Sequence, residues 1–256
     1  MTLTLNLQGS ASSSPAAPSS RRALPADTAW SAQLTTSLTA LASTLAQAPA
    51  WRALTVKTYA LDNQGCILPS PALAALLSSA AARRLTTLHL DTASCPIRPY
   101  PGEDAHLCAH VNALLPSLRS LRYRTEHVCS ALLAGDAPLP ALEDVIVNLS
   151  LASLDDGYLS YQHAQGCRGE GIVRVRGMME EAATALVARM AERAGRRVRI
   201  VSHRVPSLEV FAFDAVEGRM VVLWEAGPNW DKEGEELEEG MLEEDLAHEY
   251  ESEEDY

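Results

Sequence analysis

Apolar residues recur between residues 51 and 147 in four short segments that share one spacing. Each segment is apolar at its first, fourth and sixth positions: Trp51/Leu54/Val56, Leu85/Leu88/Leu90, Leu118/Leu121/Tyr123 and Leu142/Val145/Val147. Successive side chains of a strand point to opposite faces, so apolar residues two apart predict strands with one buried face. The segments begin at residues 51, 85, 118 and 142, at intervals of 34, 33 and 24 residues.

A helical pattern precedes each of these segments. The predicted helices run from Asp27 to before Pro49 and over about 70–83, 105–115 and 127–133. One strand and one helix per unit is typical of repeat architectures, because a single unit cannot bury its apolar face alone. The pattern predicts an α/β fold, an irregular leucine-rich-repeat-like strand–helix solenoid. It is irregular because the Asn expected after each strand is missing, and a plain three-layer α/β sandwich remains the alternative.

The C-terminal part of the chain does not continue this repeat of one helix and one strand. A glycine-rich stretch over 155–171 predicts a loop or strand pair, followed by a strand over 172–176 and a helix over 178–194. Three strands are predicted after them, Arg197–Ser202, Leu208–Phe213 and Arg219–Trp224. The short connection between the last two predicts an antiparallel hairpin, which we expect to cap the open edge of the repeat.

Charge divides the chain into a nearly neutral body and an acidic end. The whole sequence has a net charge of −12, but residues 231–256 alone contain 14 acidic residues and one Lys. We expect a disordered leader over 1–26, a folded domain over 27–228 and a disordered acidic tail over 229–256. A mitochondrial presequence is an alternative for the leader. The tail is either a solubiliser or a modulator of binding, and Ser252 is its candidate phosphorylation site because acidic residues follow it.

Composition and motifs exclude several classes of protein. The sequence lacks the roughly 18 consecutive apolar residues of a membrane-spanning helix, so no membrane association is expected. Five widely spaced cysteines without a C-x-x-C pair indicate a reducing compartment, cytoplasmic or nuclear, and we expect a monomer. Sequence patterns for phosphate loops, metalloproteases and serine hydrolases are absent.

Two segments are candidate ligand sites. The set His106, Cys108, His110, His127 and Cys129 is the densest group of metal-ligand types. Its spacings match no known zinc pattern, so buried thiols beside surface histidines are the preferred interpretation, with no metal and no cofactor expected. The glycine run 166–171 lacks a predicted helix immediately after it, so nucleotide binding is not expected there.

Arginines concentrate over residues 168–204, which contain nine Arg and four Glu. Nucleic-acid binding is not the preferred interpretation, because no aromatic residues are interleaved to stack on bases. Pairing with the acidic tail is the simpler hypothesis for this charge.

Three stretches carry a resemblance to a known group of proteins: 106–129, 142–151 and 196–220. Together they resemble filamentous-fungal leucine-rich-repeat-like proteins, some of which have an F-box at the N-terminus. The resemblance implies a leucine-rich-repeat-like region, but it indicates no particular activity and supplies no site residues. An F-box would imply docking to a cullin-type ubiquitin ligase, but it is not evident in this sequence.

These observations predict a non-enzymatic domain that recognises another macromolecule, a protein. The alternatives are a substrate adaptor of a cullin-type ubiquitin ligase, with a degenerate or missing F-box, and an enzyme whose site the sequence does not display. In the predicted strands, the side chains that point away from the core form a polar, mixed-charge surface. We expect the partner to contact Lys57, His89, Asp91, Arg122, Arg124 and Asn148.

Overall fold

The computed structural model describes residues 2–9, 25–47, 51–60, 68–81, 85–93, 97–98, 106–151, 163–203, 209–223 and 235–236. The described helices are α1 (Pro25–Gln47), α2 (Ser70–Ala81), α3 (Leu107–Asn112) and α4 (Ile172–Val187). The described strands are β1 (Thr2–Gly9), β2 (Ala53–Ala60), β3 (Leu68–Pro69), β4 (Thr87–Asp91), β5 (Ile97–Arg98), β6 (Ser120–Arg124), β7 (His127–Val128), β8 (Asp144–Asn148), β9 (Gln165–Gly166), β10 (Arg197–His203), β11 (Val210–Asp214), β12 (Arg219–Leu223) and β13 (Glu235–Glu236). None of these helices is long and apolar enough to cross a bilayer.

One mostly parallel sheet organises the described part of the chain. Its strand order is β1-β2-β4-β6-β8-β10-β11-β12-β13, parallel from β1 to β10 and antiparallel from β10 onward. Two small parallel pairs, β3 with β5 and β7 with β9, lie outside it. The α/β class and the mostly parallel sheet predicted from the sequence are confirmed.

The apolar positions of the predicted strands meet in register across the sheet. One row aligns Leu54, Leu88, Leu121, Val145 and Val198, and the adjacent row aligns Val56, Leu90, Tyr123, Val147 and Ile200. Each of these side chains is 0–1% exposed. The two-residue period therefore identifies the buried face correctly, since a slip by one residue would expose the whole row.

All four described helices pack on that same face. Buried side chains from α1, α2, α3 and α4 belong to one core cluster with both apolar rows. A second, smaller cluster lies on the opposite face at the antiparallel end of the sheet: Ile146, Val201, Val210, Ala212, Val221 and Leu223. No described helix contributes to this second cluster, so the helices do not form the third layer that a doubly covered sheet requires.

The predicted strand over residues 172–176 is wrong, because these residues form the first turns of α4. Their β-branched Ile and Val residues favour strands in isolation, but tertiary packing overrides a weak propensity. Val175, Met179, Ala183 and Leu186 are buried at helical spacing, which shows that one apolar stripe runs through the whole helix.

The structure also corrects the boundaries of the folded domain. Thr2–Gly9, assigned to a disordered leader by the sequence, is strand β1 and pairs with β2 along its length. Its alternating Leu3, Leu5 and Leu7 pack against the core, a signal that the Ser- and Pro-rich stretch after it obscured. At the other end, Glu235 and Glu236 of the expected tail pair with β12. Residues 10–24 of the expected leader and residues 229–234 and 237–256 of the expected tail, including Ser252, lie outside the described residues.

The predicted hairpin near the C-terminus is confirmed as β11 and β12. Asp214 closes its turn: its Oδ1 accepts the backbone N–H groups of Val216 and Glu217 at 3.1 and 3.3 Å. Gly218 has φ +67°, a conformation that favours glycine. These antiparallel strands follow the last parallel strand, as expected, but they lengthen the same sheet, so they fit the expected cap only loosely.

Candidate functional site

The sheet face opposite the helices is polar across β2, β4 and β6. Register aligns Lys57 with Asp91 and Asp91 with Arg124, while His89 is aligned with Arg122. All five side chains are partly exposed. The structure therefore brings five of the six predicted partner-binding residues onto one surface, which we call the polar sheet face.

The sixth predicted residue, Asn148, does not belong to the accessible part of this face. Asn148 is only 5% exposed, and its Oδ1 accepts the backbone N–H of Ser150 at 2.8 Å. The prediction of its exposure is wrong, because β8 begins the apolar half of this face, where Ile146 is fully buried. The strand pattern alone does not show where a sheet face changes from polar to apolar.

Ion pairs organise the charges of the polar sheet face. Arg124 binds Asp91 with two hydrogen bonds, from Nε to Oδ1 at 2.8 Å and from a terminal nitrogen to Oδ2 at 2.9 Å. Asp144 accepts a bond from Arg197 Nε at 2.8 Å and lies 3.9 Å from Arg122. A paired guanidinium holds its position, so these charges form a fixed pattern rather than a set of mobile side chains.

His89 lies among these charges in its neutral form. Its pKa is lowered from 6.5 to about 4, first because burial disfavours the charged imidazole and then because of the nearby charge of Lys57. Asp91 raises this pKa, and Arg122 and Arg124 lower it further. The imidazole is therefore an uncharged position within a charged surface at neutral pH.

Acidification is expected to destabilise the protein through His89. The unfolded chain protonates this imidazole near pH 6.5 and the folded protein only near pH 4, so the free energy of unfolding falls between these values. We expect a loss of about 1–2 kcal/mol, allowing for partial solvent screening. Urea unfolding of the wild type and of His89→Gln at pH 7.5 and pH 4.5 checks this. Equal pH dependence in the two proteins would contradict the role of His89.

A second cluster of chemically active side chains lies on the helix side of the sheet. It consists of His106, Cys108, Cys129 and Cys167, which we call the thiol–imidazole cluster. Their ligand-type atoms all lie within 4.8 Å of one another. Cys108 Sγ is 3.8 Å from Cys167 Sγ, and Cys129 Sγ is 3.7 Å from His106 Nδ1.

Three separate segments supply the thiol–imidazole cluster. His106 is extended (φ −88°, ψ 152°) immediately before α3, whereas Cys108 lies in the first turn of that helix. Cys129 follows β7 and Cys167 follows β9, each one residue beyond the last pair of these parallel strands, Val128 and Gly166. The register of a two-residue sheet thus places the two thiols side by side.

This geometry corrects the arrangement expected from the sequence. A helix over 105–115 would put His106 and His110 on one face and direct Cys108 away from them, but α3 begins only at Leu107. The segment 127–133 is not a helix: it is strand β7 followed by a 3₁₀ turn over Ser130–Leu132. His106, Cys108 and Cys129 therefore converge with Cys167, which the sequence did not connect to them, and His110 and His127 are not among the clustered residues.

The thiols of this cluster have different acidities. The pKa of Cys129 is lowered, first because the Cys108 thiol donates a hydrogen bond to its sulfur and then because the Cys167 thiol does so as well. The pKa of Cys108 is raised chiefly by the bond with Cys129, and that of Cys167 chiefly by the bond with Cys108. The sulfur of Cys129 is thus the one that hydrogen bonds from the other two thiols favour in its deprotonated form.

A buried tyrosine adjoins the cluster. The hydroxyl of Tyr123 lies 3.8 Å from Cys108 Sγ, and burial raises its pKa well above the usual value. The side chain is 1% exposed in the core. A phenol that stays protonated can donate a hydrogen bond to a sulfur anion.

The glycine run 166–171 is the turn that holds Cys167. Gly169 has φ +84°, and its backbone N–H donates to the Gly166 carbonyl at 2.9 Å. Helix α4 does follow this run, contrary to the prediction, but the Glu170 carboxylate accepts the Arg168 backbone N–H at 3.0 Å. Because the chain supplies its own anion to this turn, a phosphate would have to displace a carboxylate.

A third polar group joins the ends of β8 and β10. His203 Nδ1 is 2.7 Å from Ser150 Oγ, and the rings of His163 and His203 stack with centroids 3.8 Å apart. The distance would suit a nucleophile and its base. Ser150 is, however, only 5% exposed, and the neighbouring His163 ring stacks on the face of His203, not at the ring edge where a carboxylate orients the base in a triad. We interpret this group as a packed polar network.

The arginine-rich region 168–204 is largely used within the folded body. Arg193 pairs with Glu143 at 3.2 Å and Arg199 with Asp214 at 3.1 Å. Arg189 donates to the backbone carbonyls of Leu133 and Ala137 at 2.9 and 3.0 Å. Fewer arginines are thus available to the acidic tail than the sequence suggests.

Comparison of the chain with protein-family models, curated proteins and solved structures finds no match.

Proposed function

We propose that this chain is a non-enzymatic domain that recognises another protein through the polar sheet face. One observation carries the proposal: every described helix packs on the other side of the sheet, which leaves β2, β4 and β6 with a partly exposed, charged surface. Surfaces with mixed, fixed charges select partners by electrostatic complementarity.

The alternation of charge along this surface favours a protein over a nucleic acid. Arg124 is neutralised by Asp91, and Asp144 lies beside both Arg122 and Arg197. A polyanion is bound best by cationic side chains that are not already paired with carboxylates. A protein surface, which also carries both signs of charge, fits this pattern better.

We further propose that the parallel part of the sheet is an irregular leucine-rich-repeat-like array. The strand order follows the chain order from β2 to β8, and each strand repeats the same buried positions. Repeat arrays present consecutive strands as one continuous binding surface. The polar sheet face is such a surface.

Site-specific photo-crosslinking tests the proposed function. A photoreactive residue at Thr55 or Thr87, on the polar sheet face, is expected to give the same protein adduct in an extract. The same residue at Ser78 or Thr184, exposed positions on helices α2 and α4, provides the control and should not give it. Adducts only from the helix positions, or adducts destroyed by nuclease and not by protease, would contradict the proposal.

A charge reversal on the polar sheet face adds a quantitative measurement to this test. In the chain that carries the photoreactive residue at Thr87, Arg122→Glu should lower the yield of that adduct by about 5- to 10-fold. One reversed charge at an interface weakens the free energy of binding by about 1–1.4 kcal/mol. Arg119→Glu is the matched control, since Arg119 pairs with Glu143 and is 63% exposed before β6 begins. Equal losses in both variants would indicate a general loss of stability.

A further inference from the structure

We propose that His106, Cys108, Cys129 and Cys167 bind one zinc ion in a closed, structural site. The four side chains supply three sulfurs and one imidazole nitrogen, a donor set that tetrahedral structural zinc sites use. Four protein ligands leave no open position for a substrate, so the role is structural and not catalytic.

The distances agree with a tetrahedron around zinc. With Zn–S bonds near 2.3 Å and Zn–N bonds near 2.0–2.1 Å, a tetrahedral centre separates two sulfurs by about 3.8 Å and a sulfur from a nitrogen by about 3.6 Å. The corresponding distances are 3.8 Å from Cys108 to Cys167 and 3.7 Å from Cys129 to His106 Nδ1. The four donors thus lie where an ion could bind all of them.

These distances do not fit a disulfide. A bond between Cys108 and Cys167 would need the sulfurs about 2.05 Å apart, and both residues are free thiols in the structure. Three thiols also leave one sulfur without a partner in any pairing, whereas zinc uses all three together with the imidazole. The convergence of all four groups is explained by a metal and not by a bond between two of them.

Zinc binding has a simple proton balance. Each thiol still protonated loses its proton to solvent as its sulfur binds, while the imidazole binds through an unprotonated nitrogen. Three thiolates and Zn²⁺ leave a net charge of −1. The Tyr123 hydroxyl beside Cys108 and the Ala131 backbone N–H bonded to Cys129 are placed to stabilise that charge.

The ion would join three segments that lie far apart in the sequence. Sheet β7–β9 contains only two paired residues on each strand, and the turn that carries Cys167 connects it to α4. Binding fixes this turn to the start of α3 and to the residues after β7. Cys108 is fully buried, but His106, Cys129 and Cys167 are partly exposed, which gives the ion a route to the site.

Metal analysis of the full-length protein tests the proposal. The chain is expressed with zinc in the medium and purified without chelator, and the metal is measured by mass spectrometry. We expect about one zinc per chain, and loss of that zinc in Cys129→Ser and Cys167→Ser. Loss of a ligand should weaken zinc binding more than about 100-fold, since changes beside a ligand alone cost 10- to 100-fold. His127→Ala is the matched control and should keep its zinc.

A second measurement on the wild type covers the case in which these variants do not fold. Alkylation followed by peptide mass analysis should find Cys108, Cys129 and Cys167 protected with zinc and reactive after chelation under native conditions. Cobalt exchanged into the site should show the thiolate charge-transfer and intense ligand-field bands of a tetrahedral centre. Protein without metal, with iron in place of zinc, or with a Cys108–Cys167 disulfide would overturn the proposal, as would a His127→Ala variant that loses zinc like the cysteine variants.

Discussion

Replacing Asp214 by alanine is expected to lower the free energy of unfolding by about 3–5 kcal/mol. The Asp214 carboxylate accepts a hydrogen bond from Arg199 Nε at 3.1 Å, and both side chains are only 10% exposed. Removing the acid leaves a guanidinium charge buried beside an apolar methyl group. It also removes the Oδ1 that accepts the two N–H groups of the β11–β12 turn.

Two further variants separate these contributions. Asp214→Asn keeps an oxygen for the turn and removes the charge, so its loss of stability should be smaller than that of Asp214→Ala. Arg199→Met combined with Asp214→Asn should be more stable than Asp214→Asn alone, because the buried guanidinium that has lost the Asp214 carboxylate is then absent. Urea unfolding followed by circular dichroism measures these three variants, the wild type and Arg199→Met, which completes the double-mutant cycle. Additive effects of the two substitutions would contradict a coupled buried pair.

Replacing Leu88 by alanine is expected to destabilise the protein by about 3–5 kcal/mol. Leu88 is fully buried in β4, aligned with Leu54 on one side and Leu121 on the other. Truncation creates a cavity in the middle of the apolar row, and neighbours fixed in a sheet cannot collapse into it.

The adjacent residue provides the control for this experiment. Thr87 belongs to the same strand but points to the polar sheet face, so Thr87→Ala should change stability by no more than about 0.5 kcal/mol. The urea concentrations at the unfolding midpoints of the two variants check which residue lies on the buried face of the sheet. The comparison requires that the unfolding free energy of both variants depends equally on urea concentration. A larger loss for Thr87→Ala than for Leu88→Ala would mean that the buried and exposed faces are reversed.

Local patterns account for what the sequence predicts correctly. Leu54, Leu88, Leu121 and Val145 share a spacing that sorts strand residues by face, and this spacing needs no knowledge of distant contacts. The same reasoning predicts the hairpin of β11 and β12 and places Lys57, His89, Asp91, Arg122 and Arg124 on one surface. It fails for Asn148, because burial of that residue depends on the neighbouring apolar strands.

Tertiary packing decides the secondary structure of two segments that the sequence does not predict correctly. Residues 172–176 contain good strand formers, yet they are helical because Val175 extends the apolar stripe of α4 into the core. Thr2–Gly9 has a clear alternation, but a strand forms there only because β2 offers an edge for pairing. In both cases the apolar area that the fold buries decides the structure, and the local preference alone does not.

The sequence by itself determined the α/β class, the buried face of the parallel strands and the polar surface opposite the helices, because these follow from short periods along the chain. Only the tertiary structure decided the thiol–imidazole cluster. In the sequence, 37 residues lie between Cys129 and Cys167. The two cysteines become neighbours through the pairing of β7 with β9. His106 joins them because α3 begins one residue after it. Contacts between donors so distant in sequence arise from the register of strands, and no local period encodes them.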